Sequence, residues 1–171
     1  MRRKNGHSMR FRGIGYRAIN PLWAREPLSG DGAARFGGRF NPKGLPALYT
    51  SLSPLTAIRE ANQVGNFQPI TLISINLDSG PILDTRLPDA LERYGIKQGD
   101  LGNDDWRERM MTGKKVPTHA LALSAISNGF VGMITPSYAP AAERSDLNLV
   151  LWEWSGGASQ ATLVDDENRL T

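Results

Sequence analysis

The sequence predicts an α+β fold in one domain. Strand-like and helix-like apolar periods both occur, but they do not alternate regularly as a doubly wound sheet requires. The chain has 171 residues, 40% hydrophobic and 22% charged, enough to bury a core without covalent staples. No internal repeat and no linker-like stretch divides it.

The elements follow in chain order. Residues 1–9 are polar and basic with no periodicity, and the expected division is a mobile basic leader over residues 1–15, then a single domain over 16–171. From Tyr16 to Trp23 the chain is apolar enough to pack. Residues 28–46 are dense in glycine and proline and read as a loop. Leu45 to Ser51 reads as a short strand, with Leu48 alternating against Ala47 and Tyr49. Ser53 as N-cap and Pro54 at the first helical position open a helix that runs to about Val64 and stops at Gly65. Ile70 to Leu77 alternates, with Ile73, Ile75 and Leu77 on one face. Pro81 to Thr85 reads as another short strand. Weak helices follow at Pro88–Tyr94 and Asp104–Met111. Pro117 to Ser127 has helical spacing and ends at Gly129. Phe130–Thr135, Leu147–Trp154 and Gln160–Val164 read as strands, with Trp152 and Trp154 facing the core together. The polar stretch from Ser137 to Asp146 joins the first two of these.

Composition removes several classes of function. The chain has no cysteine, so disulfides, thiolate metal sites and cysteine nucleophiles are excluded. His7 and His119 lie far apart, and no metal is expected. The basic start lacks the apolar run of a signal peptide, and no stretch has the roughly 20 apolar residues of a membrane span. The expected location is the cytoplasm, with no membrane partner. Net charge is +3, much of it from Arg2, Arg3, Lys4, Arg10, Arg12 and Arg17. With no basic cluster interleaved with aromatics on a folded face, direct nucleic-acid binding is not expected.

Several residues could carry chemistry. In Gly37-Gly38-Arg39-Phe40-Asn41, two glycines permit close backbone approach and the arginine can fork onto a phosphate. The plainer reading is a glycine turn beside a solvated arginine. The run is neither a P-loop nor a dinucleotide fingerprint. Glu60 shares a helix face with Ala57, Ala61 and Val64, and a carboxylate on a small apolar face is costly unless it serves something. It is either half of a structural ion pair, with Arg59 or a distant arginine, or a carboxylate held to stabilise an oxocarbenium ion. Tyr49 on its strand is a core aromatic or a site residue. Ser137 follows Pro136 at a strand end, where serine commonly makes a turn, and no histidine–aspartate set accompanies it. His119 is expected to cap or pack at a helix start. Asn148 heads a strand, where its amide can meet a ligand or close the loop.

The run Gly37-Gly38-Arg39-Phe40-Asn41-Pro42-Lys43-Gly44, then Leu48-Tyr49-Thr50-Ser51, then Ala57-Ile58-Arg59-Glu60, resembles the RES domain family. So does Gly132-Met133-Ile134-Thr135-Pro136-Ser137 followed by Asn148-Leu149-Val150-Leu151-Trp152. The resemblance spans about residues 16 to 155. Phe40 stands where the family often has tryptophan, a conservative departure.

This resemblance implies an ADP-ribosyltransferase-like split β core with surrounding helices. It implies NAD⁺ as substrate and a toxin role beside a helix-turn-helix antitoxin of the Xre type. The implied reaction is cleavage of the nicotinamide–ribose bond, with water or phosphate as acceptor; protein ADP-ribosylation is the alternative. A non-enzymatic binding module and a member that binds NAD⁺ without turnover are further alternatives. The implied catalytic set is Arg39, Tyr49, Glu60 and Ser137, with Ser145 as the other candidate for the serine. Gly38, Arg39, Asn41, Tyr49 and Asn148 would contact NAD⁺.

Overall fold

Alternating apolar residues make the strands, and in the structure they build the two sides of one sheet. The computed structural model describes residues 8–64 and 69–169. Strands β1 (Ser8–Ile19), β2 (Leu48–Ser51), β3 (Thr71–Asp84), β4 (Gly132–Pro136), β5 (Leu147–Leu151), β6 (Ser155–Gly156) and β7 (Ser159–Leu163) lie in the order β1-β2-β5-β4-β3-β7-β6. Because β1 also pairs with β3, the strands β1, β2, β5, β4 and β3 close a ring. Its narrowest seam is between β1 and β2, whose register pair is Tyr16 with Ser51. Only β3–β4 is parallel among these pairings. The helices are α1 (Asp31–Phe36), α2 (Pro54–Ala61), α3 (Pro88–Glu92), α4 (Gln98–Leu101), α5 (Trp106–Met111) and α6 (Pro117–Ser127). The mixed α+β expectation holds as a sheet core with packed helices.

The period of two sorts side chains into two cores. Ile73, Ile75, Leu77 and Ile82 of β3, Ile134 of β4, and Leu149 and Leu151 of β5 fill the ring. Their neighbours Leu83, Met133 and Val150 point the other way, against Ala90, Leu91, Leu101, Leu121, Ala122 and Ala125 of the helices. The expected shared face of Ile73, Ile75 and Leu77 is thus the ring interior. Helix α6 has the predicted bounds, and Gly129 beyond it has φ of +85°, the left-handed turn that ends such a helix.

Several expectations are corrected. The mobile basic leader over residues 1–15 does not extend through Ser8–Gly15, which are part of β1; residues 1–7 lie outside the described residues. Arg10 and Arg12 reach across to Asp78 on β3, at 2.6 and 3.1 Å, so their charge serves a strand pair. Two features hid this strand. A register shift between Met9 and Phe11 breaks the alternation, and Gly15 replaces an apolar residue. A Cβ at Gly15 would lie 2.6 Å from Leu77 Cδ1, so any larger residue there would have to displace the Leu77 side chain inside the ring.

Pro81 to Thr85 is not a separate strand but largely the second half of β3, whose first half pairs with β7 and second half with β4. The helix expected to Val64 is α2 to Ala61, then a 3₁₀ turn over Asn62–Val64. Trp152 and Trp154 do not face the same way. The N–H groups of Trp152 and Glu153 both bond Val131 O, a bulge that swaps faces after Leu151. Trp152 joins the helix-side core and Trp154 packs against the ring interior. No helix among the described residues is long and apolar enough to cross a membrane.

Candidate active site

The glycine-rich loop after α1 is held at each carbonyl that leads into the site. Gly37 ends α1 with φ of +73°. Gly38 and Asn41 then form a tight bridge, Gly38 N–H donating to Asn41 O at 2.9 Å. Nε2 of His119 donates to Gly38 O at 2.7 Å, Thr118 Oγ1 donates to Arg39 O, and Trp152 Nε1 donates to Phe40 O at 3.0 Å. Burial lowers the His119 pKa below its usual value, which keeps this imidazole neutral in its Nε2–H form. His119 therefore packs at the start of α6 as expected and also fixes the loop.

Asn41, expected at the substrate, is bonded within the loop. It is fully buried, and its amide donates to Ala33 O and Leu45 O, both at 2.9 Å. Its Oδ1 accepts from the Tyr49 hydroxyl at 2.7 Å, and that hydroxyl accepts from Phe40 N at 3.0 Å. Both N–H groups of the amide and one lone pair of its oxygen are thus engaged inside the loop. Burial pushes the Tyr49 phenol well above its ordinary pKa, so it remains a donor. Gly38 is required by this contact, since a Cβ there would lie 2.4 Å from the Tyr49 oxygen. Tyr49→Phe leaves Asn41 Oδ1 and Phe40 N–H without their partner. The expected loss of stability is about 1–3 kcal/mol, read from the denaturant midpoint at unchanged slope.

Arg39 emerges from this loop with a side chain only 12% exposed. Its Nη1 donates to Asn103 O at 2.8 Å and to Leu101 O at 3.3 Å, and Nη2 donates to Asp104 Oδ1 at 2.8 Å. The guanidinium carbon lies 5.5 Å from the centre of the Tyr138 ring. The Asp104 side chain, by contrast, is 90% exposed, so this ion pair is open to exchange with a ligand anion.

Glu60 stands in the last turn of α2, which Ser53 caps through Thr56 N. Its Oε1 accepts from Ser137 Oγ and from Asn148 Nδ2, both at 2.5 Å. Ser51 Oγ in turn donates to Asn148 Oδ1 at 2.8 Å, and Gln63 donates to Glu60 Oε2. The carboxylate is aimed by side chains from β2, β5 and the loop after β4. Of the alternatives for Glu60, a structural pair with Arg59 does not form: Arg59 turns to Asp146 at 2.5 Å. Ser145 is exposed on its loop, so Ser137 is the serine beside Glu60.

A cleft of about 470 Å³ joins these groups, lined by Gly38, Arg39, Tyr49, Glu60 and Asn148 among others. A second cleft of about 260 Å³, at the β1–β2 seam, also reaches Tyr49, Glu60 and Asn148. Ser137 is 8% exposed and sits behind Glu60. Sequence reasoning missed the cleft residues Gln63, Asp104, Trp106, Arg107 and Tyr138. Tyr138, an aromatic beside Ser137 in a polar loop, carried a usable signal; the others lie on segments with no local mark. Among the described residues, no group of three or more His, Asp and Glu side chains is placed to hold a metal ion.

Comparison with known proteins gives three findings. The sequence pattern of the RES domain matches residues 14–171. The proteins named NAD(+) phosphorylase MbcT from Mycobacterium bovis and Mycobacterium tuberculosis are 29% identical over 137 residues, covering 73% of this chain and 74% of theirs. The crystal structure of the M. tuberculosis MbcT–MbcA toxin–antitoxin complex contains a chain that superposes with a TM-score of 0.63. It is 23% identical and the match covers 92% of this chain and 84% of that one, a likeness of fold. A cleft bounded by an arginine, a tyrosine and a serine-held glutamate thus lies inside a matched segment that reaches from β1 to the C-terminus, and the chain belongs to the RES domain family.

Proposed function

We propose that this chain is a toxin-type enzyme that cleaves the nicotinamide–ribose bond of NAD⁺ and so depletes the cofactor in the cytoplasm. The observation that carries the reading is Glu60: one carboxylate, oriented by Ser137 and Asn148, in a cleft that has the Arg39 guanidinium along its wall. The relatives named NAD(+) phosphorylase make phosphate the favoured acceptor. NAD⁺ and phosphate then give nicotinamide and ADP-ribose 1″-phosphate; with water the product is ADP-ribose and a proton.

In this reading Arg39 holds the NAD⁺ pyrophosphate, which displaces the exposed Asp104 carboxylate from the guanidinium. The Tyr49 ring borders the nicotinamide end, its hydroxyl being engaged by Asn41. As nicotinamide departs with the bonding electron pair, positive charge develops on the ribose, and the fixed Glu60 carboxylate stabilises it. The Ser137 hydroxyl donates its hydrogen bond to Glu60 Oε1, so Ser137 orients the carboxylate. Asn148 does the same from the other side and borders the cleft itself. Nicotinamide leaves as a neutral molecule, so the step calls for no metal electrophile.

The partner in this reading is a helix-turn-helix antitoxin of the Xre type, as a relative's chain is found in a toxin–antitoxin complex. The ADP-ribosyltransferase-like split core belongs to the same proposal. It is supported by β3, which divides its outer edge between β7 and β4, and by the thin β1–β2 seam.

The test is nicotinamide release by the purified chain, with and without phosphate. Release that yields ADP-ribose 1″-phosphate supports the proposal in full. Release of ADP-ribose alone makes the enzyme a glycohydrolase, and labelled protein from labelled NAD⁺ makes it a transferase. No release and no labelling would overturn the reading.

A further inference from the structure

Glu60 and Ser137 come from different parts of the chain, and their contact needs something to hold α2 against the loop between β4 and β5. Asp146, 6% exposed, is bonded to both. Its Oδ1 accepts from Thr56 Oγ1 at 2.5 Å, and its Oδ2 accepts from Arg59 Nη1 at 2.5 Å. Both donors are on α2, and Arg59 is the residue before Glu60. The same Oδ2 accepts from Glu143 N at 2.7 Å, and the Asp146 carbonyl accepts from Ser137 N at 2.8 Å. Thus one residue clasps the loop at its start and near its end and ties it to the helix. Two residues later, Asn148 makes the second bond to Glu60.

The loop does not hold this shape through local preference. Ala141 near its tip has φ of +60°, a conformation that alanine rarely adopts. The Thr56 hydroxyl, then the Glu143 amide and Arg59, hold the Asp146 carboxyl below the usual carboxylate range, so it is ionised at neutral pH. A charged acceptor for three donors forms stronger hydrogen bonds than a neutral one. Asp146 is not part of either cleft wall that contains Glu60.

We propose that Asp146 is a positioning residue that acts through Glu60, setting the Ser137–Glu60 contact without touching substrate. The inference rests on the NAD⁺-cleaving reading for its kinetic consequence and on geometry alone for its structural one. Asp146→Asn preserves shape but removes the charge: with its amide oxygen toward Arg59 and the Glu143 N–H, its N–H₂ stands where the Thr56 hydroxyl had an acceptor, so the clasp loosens. Expected is a fall in kcat of about 10- to 100-fold with KM for NAD⁺ within about threefold, since only the reacting centre is disturbed. In a Glu60→Gln background the same change should lower kcat by less than about threefold, because its route to the chemistry is already gone.

Thr56→Val, which removes one of the two helix bonds, should lower kcat by about 3- to 10-fold and serves if Asp146→Asn does not fold. Crystal structures supply a readout independent of turnover: the Ser137 Oγ–Glu60 Oε1 contact should lengthen beyond 3.5 Å in Asp146→Asn. If the parent protein releases no nicotinamide but this contact still opens, the functional reading fails and the positioning inference stands. A folded variant that keeps the contact, keeps the parent kcat, loses only KM, or multiplies fully with Glu60→Gln overturns the inference.

Discussion

Glu60→Gln is expected to reduce nicotinamide release by about 100- to 1,000-fold, on the order of 3–4 kcal/mol in the barrier, with little change in KM. The substitution keeps the length and planarity of the side chain. With its oxygen turned to Ser137 Oγ and Asn148 Nδ2, the amide retains both bonds that Glu60 Oε1 accepts. What it removes is the negative charge. That charge acts more strongly on a ribose that becomes cationic as nicotinamide leaves than on the bound ground state, whose positive charge is on the nicotinamide ring. The folded state should be affected by less than about 1 kcal/mol, because the capping Ser53 and the packing of α2 are untouched. Single-turnover release and a denaturant melt on the same preparation separate the two. Parent-like release from folded Glu60→Gln would remove Glu60 from the chemistry.

Arg39→Lys is expected to lower kcat/KM for NAD⁺ by about 100-fold, mostly through a higher KM. The guanidinium bonds Leu101 O, Asn103 O and Asp104 while lying near the Tyr138 ring. A lysine ammonium preserves the charge but lacks the planar fork, so it cannot serve these acceptors and a pyrophosphate together. The change has a second, structural signature. Leu101 to Asp105 connects α4 with α5, and Arg39 is one of its ties to the glycine-rich loop. Faster amide exchange across residues 101–105 should accompany the rise in KM. Unchanged KM in the lysine variant would show that Arg39 holds the connection between α4 and α5 and not the substrate.

The site was legible to different depths. Glu60 stood out because a carboxylate on a face of small residues needs a purpose, and the structure shows that face against the sheet with the carboxylate in a cleft. Arg39 and Tyr49 were visible through their spacing to Glu60, and the cleft has all three in its wall. Asn41 looked equally suited to a ligand, yet its amide is turned into the loop. Gly38 looked like room for substrate; it lines the cleft and also makes room for the Tyr49 hydroxyl. In both cases a polar or glycine residue in a loop signals that something comes close, without saying whether that is ligand or protein. The β1 strand was missed because a register shift and two glycines, Gly13 and Gly15, mask its period.

By itself the sequence determined the local elements and the order of the family's residues. The alternation of Ile73, Ile75 and Leu77, the Ser53–Pro54 helix start and the α6 pattern act within a few residues, where sterics and side-chain direction suffice. Only the tertiary structure decided which groups meet. Ser137 rather than Ser145 reaches Glu60, Arg39 meets Asn103 and Asp104, and Arg59 turns from Glu60 to Asp146. These pairings follow from strand register and from the closing of the ring through β1 and β3. Register is set by the packing of whole faces, and no local stretch of chain contains that information.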